Sequence, residues 1–325
     1  MHTDPLPRLR DVVNSDLAFH DADSRYATHD FHAFPAKFPP QLPRAFIDAL
    51  TRPGDLVLDP MVGSGTTLVE AHLSGRAAVG VDIDPLALLL CRVKTRLLPL
   101  DDLCKTAGEI TRAARSALRS PASLDRVMCT RYDEKSRAFI DFWFAPHAQR
   151  ELMALLLAIE QTADPQQRDF FYLAFSAIII TKSGGVSLAR DLAHTRPHRD
   201  GLKHCAQSVG GEGAPLSATI DAFERRVRRN INSLAELRQR APSMPPSVDV
   251  LRGDARALPL RENAVDLIVT SPPYAGNAID YMRAHKFSLA WFGRALTDLA
   301  DLRGRYVGGE RLRDATLMPL PPRVQ

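Results

Sequence analysis

The chain has few cysteines and no pattern that would pair them. They stand at Cys91, Cys104, Cys129 and Cys205, with no Cys-x-x-Cys among them. A disulfide framework is therefore excluded, and reduced, buried thiols are expected. His194, His198, His204 and Cys205 fall close together but match no closed zinc pattern, so no metal is expected. No hydrophobic run reaches the roughly twenty residues that a membrane helix needs. The polar start, Met1 to Pro5, lacks the apolar core of a signal peptide, and a cytoplasmic protein is expected. Internal repeats and low-complexity tracts are absent. Neither sign of charge dominates: 42 Lys and Arg against 38 Asp and Glu leave +4, a mild preference for a polyanion that alone selects no partner. What is present suits a globular protein, with 45% hydrophobic and 25% charged residues in 325 positions.

Two stretches far apart carry the chemistry. Leu56-Val57-Leu58 reads as a buried parallel strand and runs into Asp59-Pro60-Met61-Val62-Gly63-Ser64-Gly65-Thr66-Thr67. Val265 to Val269 reads as another buried strand and runs into Thr270-Ser271-Pro272-Pro273-Tyr274. Around the first, Gln41 to Leu50 has helical spacing, Leu68 to Ser74 is a second helix, and Ala77 to Val81 is a strand closed by Asp82-Ile83-Asp84-Pro85. Strand, glycine loop, helix, strand, acid is the order of a Rossmann-like half.

Residues 86 to 245 change character. They are rich in Ala, Leu and Arg and read as helical, most strongly at Glu151 to Glu160, Arg168 to Ile180 and Ile220 to Arg240. Pro242, Pro245 and Pro246 form a linker, after which Val248 to Leu251 resumes the sheet pattern. The expected architecture is one α/β domain with a helical insertion between its second and third strands. Its parts are a lead-in (1–28), a cofactor half (29–95), the insertion (96–245) and a catalytic half with a tail (246–325). Phe139, Phe142, Trp143 and Phe144 are expected to pack the insertion against the sheet.

The glycine loop lets the backbone approach a ligand, because Gly63 and Gly65 carry no Cβ. It lacks the lysine of a phosphate-binding loop. Asp59 is placed to accept from a cationic amine, which an aminoacyl cofactor offers and a phosphate does not. Asp82 stands where a dinucleotide fold puts its ribose-binding carboxylate, and Asp84 reads as a helix N-cap. Asp254 is open to two readings, an acceptor for an adenine amine or a turn residue. The two prolines of Ser271-Pro272-Pro273-Tyr274 stiffen a turn and fix its carbonyls. The Ser271 hydroxyl and the Pro272 carbonyl are suited to hold the hydrogens of an exocyclic amine, with Tyr274 as a stacking face for a displaced base. The other reading is a Pro-rich loop capping a strand.

Together, Asp-Pro-x-x-Gly-Ser-Gly-Thr-Thr and Ser-Pro-Pro-Tyr resemble the paired signature of the amino-methylating DNA methyltransferases, which act on cytosine-N4 or adenine-N6. Phe34 to Pro40 looks like that family's extra cofactor motif, and Asn277 to Tyr281 like one bacterial and phage branch. The resemblance covers residues 29–95 and 248–310. It implies S-adenosylmethionine as cofactor, held by Phe38, Asp59, Pro60, Gly63, Ser64, Gly65, Thr66, Asp82 and Asp254. It implies DNA as partner, with Ser271, Pro272, Pro273 and Tyr274 on the target base. The serine heading the motif tilts the target toward cytosine. Met61 stands where the family usually has Phe. The family's sheet has seven strands, and no apolar run after Tyr281 resembles the later ones. A truncated member, a split enzyme with a partner chain supplying strands, or a non-catalytic copy are the implied alternatives. An RNA guanine-amine methyltransferase is a further rival.

Within the insertion, Arg190, Arg196 and Arg199 lie in a basic loop suited to the nucleic-acid backbone. The Glu224 to Arg229 face reads as exposed charged surface.

Overall fold

The computed structural model describes residues 4–181, 185–189, 217–273 and 280–307. Its sheet has four parallel strands in the order β3-β2-β1-β4: β1 (Leu56–Asp59), β2 (Ala77–Asp82), β3 (Val248–Arg252) and β4 (Leu267–Ile268). Strand order reverses beside β1, which creates a crevice at the carboxyl ends of the strands, the usual ligand site of such sheets. The chain is thus a Rossmann-like α/β protein.

Alternation along the strands sorts their side chains to two faces. Val57 and Ala78 meet Ile47 of α2 (Gln41–Leu50), Leu68 and Ala71 of α3 (Thr66–Leu73), and Cys91 of α4 (Pro85–Lys94). Leu58, Val79 and Val81 face the other way, against Leu258, Leu260 and Val265 from the loop between β3 and β4. The lead-in also carries a short helix, α1 (Leu6–Val13).

The helical insertion between β2 and β3 is present. It continues from α4 through α5 (Leu100–Ala117), α6 (Pro121–Arg131), α7 (Glu134–Trp143), α8 (Pro146–Glu160) and α9 (Pro165–Ile179) to α10 (Ala218–Arg240). Its helices share one large core with the outward face of α4, where Leu86, Leu89, Leu90 and Val93 are buried. After β4 come α11 (Tyr281–Trp291) and α12 (Leu296–Arg303). The latter is a helix where the sequence reads only as an Arg-rich stretch.

Three expectations are corrected. Phe139, Trp143 and Phe144 pack on Phe287 of α11 rather than on the sheet, at ring separations of 5.0, 5.0 and 6.3 Å. Phe142 is exposed. The run from Val265 to Val269 forms regular strand only at Leu267–Ile268, and Ile268 is 59% exposed because β4 pairs with β1 alone among the described residues. Of the cysteines, Cys91 is buried but Cys104 and Cys129 are exposed, on outer faces of insertion helices. Cys205, His194, His198 and His204 lie outside the described residues.

Candidate active site

The carboxyl ends of all four strands converge on one pocket that is open to solvent on one side. From β1 and its loop come Pro60, Met61 and Gly63; from β2, Asp82, Ile83 and Asp84. The turn after β3 supplies Gly253 and Asp254, and the segment after β4 supplies Ser271 and Pro273. Motifs separated by some two hundred residues therefore share one wall-to-wall space.

The glycine loop is shaped by its neighbours. Gly63 and Gly65 have φ of +46° and +75°, in the left-handed region. A Cβ on Gly65 would sit 2.9 Å from the Cys91 sulfur, so the loop lies directly on α4. The Gly63 amide donates to Asp82 Oδ2 at 2.9 Å, and the Asp84 amide donates to Asp82 Oδ1 at 2.9 Å. Burial first, and then the Asp84 charge, raise the Asp82 carboxyl to about 6 despite those two N–H donors.

Asp59 is 2% exposed and accepts from the Met61 amide at 3.2 Å. Burial raises it to about 6, against the opposing pull of the Thr270 and Thr67 hydroxyls and the Met61 N–H. It stands beside the pocket without lining it. Ser64, Gly65 and Thr66 likewise support the loop from behind, with Ser64 Oγ 3.0 Å from Thr66 Oγ1. Phe38 is half-buried and off the pocket wall; Phe34 from the same segment lines it instead. Asp254 lines the rim, but both its oxygens accept from the Arg256 guanidinium, at 2.9 and 2.6 Å, which lowers its carboxyl to about 2. Pro272 is exposed. Tyr274, Arg190, Arg196 and Arg199 fall outside the described residues.

Asp84 is the N-cap of α4, with Oδ1 accepting from the Leu86 amide at 2.7 Å and Pro85 at the first helical position. The sequence does not reveal its other partners. His285 Nδ1 lies 2.5 Å and the Tyr306 hydroxyl 2.7 Å from its Oδ2. Burial alone would raise the Asp84 carboxyl; His285 and then Tyr306 outweigh it and hold the group below the ordinary range. His285 and Tyr306 both line the pocket, as does Tyr281, whose ring is 5.3 Å from that of Phe34. No short motif marks His285 or Tyr306, whereas Tyr281 ends the Asn277 to Tyr281 stretch noted in the sequence. Phe34 likewise heads the Phe34 to Pro40 segment already singled out.

The lining fits an aminoacyl nucleoside. Acceptor carboxylates at Asp82 and Asp254 sit among apolar walls from Phe34, Met61, Ile83 and Ala87, and Gly63 admits close backbone approach. Among the described residues no group of His, Cys, Asp or Glu could hold a metal, and no helix is long and apolar enough to cross a membrane. Fold and pocket together are those of a Rossmann-like α/β protein with a ligand site at its strand ends.

Comparison with known proteins agrees. A family model described as DNA methylase matches residues 9–90. Type II methyltransferase M.MvaI of Kocuria varians is 24% identical over 306 residues, covering 91% of this chain and 64% of the relative. Type II methyltransferase M.BsoBI of Geobacillus stearothermophilus is 22% identical over 309 residues, covering 90% of this chain and 58% of the relative. A shorter match, 40% identical over 60 residues (18% of this chain and 20% of the relative), links it to the DNA adenine methyltransferase YhdJ of Escherichia coli. No solved structure matches. The chain thus spans about two thirds or less of the length of these relatives. It is similar to DNA methyltransferases, enzymes of a type that uses S-adenosylmethionine as methyl donor.

Proposed function

We propose that this protein methylates an exocyclic amine of a DNA base, cytosine-N4 ahead of adenine-N6. One observation carries the reading: Gly63, Asp82 and Ser271 line a single pocket. When bound, S-adenosylmethionine supplies an electrophilic methyl group. Asp82 would accept from ribose hydroxyls, Gly63 would let the ligand approach the loop backbone, and Asp59, assigned to the aminoacyl amine, would act on it from behind the pocket wall.

Ser271 and the Pro272 carbonyl then accept hydrogen bonds from the target amine. That amine's lone pair is ordinarily delocalised into the ring. Holding its hydrogens turns the lone pair toward the methyl group, so catalysis is positioning and electrostatics without a strong base. Pro273, on the pocket wall, stiffens the turn that aims those acceptors, and Tyr274 is assigned to stack on the base. Arg190, Arg196 and Arg199 are assigned to the DNA backbone, and the cytoplasm is the compartment in which the protein would meet it. The serine heading the motif supports cytosine over adenine.

The test is expression in a host without DNA methylation, beside a Ser271→Ala variant, with mass spectrometry of genomic nucleosides. N4-methylcytosine that falls by about 10²–10³-fold in the variant supports the reading. Methyladenine keeps the mechanism and changes the base. Unmodified DNA from a folded chain counts against both.

A second reading has its own observation, the exposed Ile268 on β4, which lacks a second neighbour among the described residues. In that reading a partner chain adds strands beside β4 and methylation requires the pair. Methylation restored only by co-expression of such a partner selects it.

A further inference from the structure

Helix α4 reaches the glycine loop from below with two side chains. The Cys91 thiol donates to the Gly63 carbonyl at 3.5 Å, and the Lys94 ammonium donates to the Ser64 carbonyl at 2.6 Å. Lys94 is 1% exposed, among the largest side chains that the fold buries completely. Taking an ammonium out of water is costly, and an apolar side chain of similar length would fill the same space without that penalty. The interaction that only a cation donor supplies here is the bond to the loop. The lysine's own carbonyl accepts from Thr28 Oγ1 at 2.8 Å, which fastens the helix to the segment leading into Phe34.

Among the described residues no carboxylate pairs directly with the ammonium. Glu70 of α3 is wholly buried, but His29 Nε2 lies 2.7 Å and the Tyr26 hydroxyl 2.8 Å from its Oε1, and Arg44 lies 3.5 Å from its Oε2. Lys37, His29 and Asp30 face Lys94 from the 26–38 segment, and Cys91 from its own helix.

We propose that Lys94 is a positioning residue that holds the Gly63–Thr66 loop against α4 in the conformation that receives the cofactor. The inference rests on the cofactor reading above. Burial, and then the Lys37 charge, bring the ammonium down to about 7. A lysine keeps its proton below its pKa and loses it above, and a neutral amine is the weaker donor. The contribution of Lys94 to cofactor affinity therefore declines as pH rises through about 7.

The experiment is calorimetric titration of the full chain with S-adenosylhomocysteine between about pH 6 and 8, where the ligand's own amine titrates alike for wild type and variant. Melting midpoints are recorded without ligand. Wild-type affinity relative to Lys94→Met should fall about fivefold across that range, a loss of about 1 kcal/mol, since the carboxylates that titrate near 6 act alike in both proteins. Lys94→Met should bind about fivefold more weakly at pH 6 and melt no lower than wild type. Lys37→Met should move the wild-type inflection to higher pH, because it removes a like charge.

Wild-type affinity in Lys94→Met at pH 6 overturns the proposal. Should that variant not fold, an inflection unmoved by Lys37→Met does so. A ratio of wild-type to Lys94→Met affinity that does not change with pH refutes the role of Lys94 alone. A wild type that binds no cofactor at any pH refutes the cofactor reading, and this inference with it.

Discussion

The Gly63 amide donates to the Asp82 carboxylate at 2.9 Å, tying the loop after β1 to the end of β2. The same carboxylate that is assigned to the cofactor thus also shapes the loop that receives it. A ligand that engages Asp82 acts on a residue already aligned by two backbone donors.

That arrangement sets an acid limit on binding. Asp82 has its carboxyl raised to about 6, so it loses its charge as pH falls through that value. Asp59 behaves alike. Cofactor affinity should drop between about pH 7 and 5, with a slope approaching two protons. Asp82→Asn should leave a one-proton slope and weaken binding by about tenfold at pH 7. A titration series at fixed ionic strength checks this, and an unchanged slope in the variant counts against the assignment.

Asp59 should show a conflict between stability and binding. Its folded-state pKa, about 6, lies above the ordinary 3.8. The stability it contributes is therefore full below about 3.8 and is lost as pH rises through about 6. Ionised at neutral pH, it costs up to about 3 kcal/mol. Asp59→Asn should raise the melting midpoint at about pH 7.5, do little at about pH 4, and weaken cofactor binding. Thermal melts at the two pH values, paired with calorimetry, decide it.

Gly65 carries two separable costs for any side chain. Its φ of +75° disfavours L-residues, and a Cβ would meet the Cys91 sulfur at 2.9 Å. Gly65→Ala should destabilise by about 2–5 kcal/mol. In a Cys91→Ala background the sulfur is gone, and about 1–2 kcal/mol should remain. A double-mutant cycle by denaturant unfolding measures the difference. Additive effects would show that the loop does not rest on α4.

Tyr306 closes the far side of the pocket by donating to Asp84 at 2.7 Å. Tyr306→Phe keeps the ring and removes the donor. It should lower stability by about 1–3 kcal/mol, as expected for a hydrogen bond to a charged group. It should also weaken cofactor binding, since Tyr306 is part of the wall. His285→Ala, which takes the other donor from the same oxygen, should do both more strongly. Equal stability of all three proteins would remove Asp84 as the anchor of this segment.

Much of the architecture is written locally. The helix Gln41–Leu50 matches its apolar spacing, β2 ends at the acid that follows its apolar run, and Asp84-Pro85 starts α4 as a capped helix should. The glycine loop and Ser271 were legible because turn geometry restricts residue type on the spot. What was not legible depends on distance in the chain. Asp84 meets His285 and Tyr306 across 201 and 222 positions, and no local pattern encodes that meeting. Likewise, an apolar run such as Val265 to Val269 has the same composition whether its strand is central or at an edge; only the neighbour it pairs with decides how far Ile268 is exposed.

The sequence by itself determined the Rossmann-like order, the insertion, and several of the residues that line the pocket, among them Gly63, Asp82 and Ser271, since periodicity, caps and turns act over a few residues. Only the tertiary structure decided that Phe34 rather than Phe38 walls the pocket, and that Arg256 occupies Asp254. It alone brought the Lys94 ammonium beneath the loop carbonyl of Ser64. Those outcomes depend on which helix is laid against which strand end, and burial there sets the charge states that the chemistry uses.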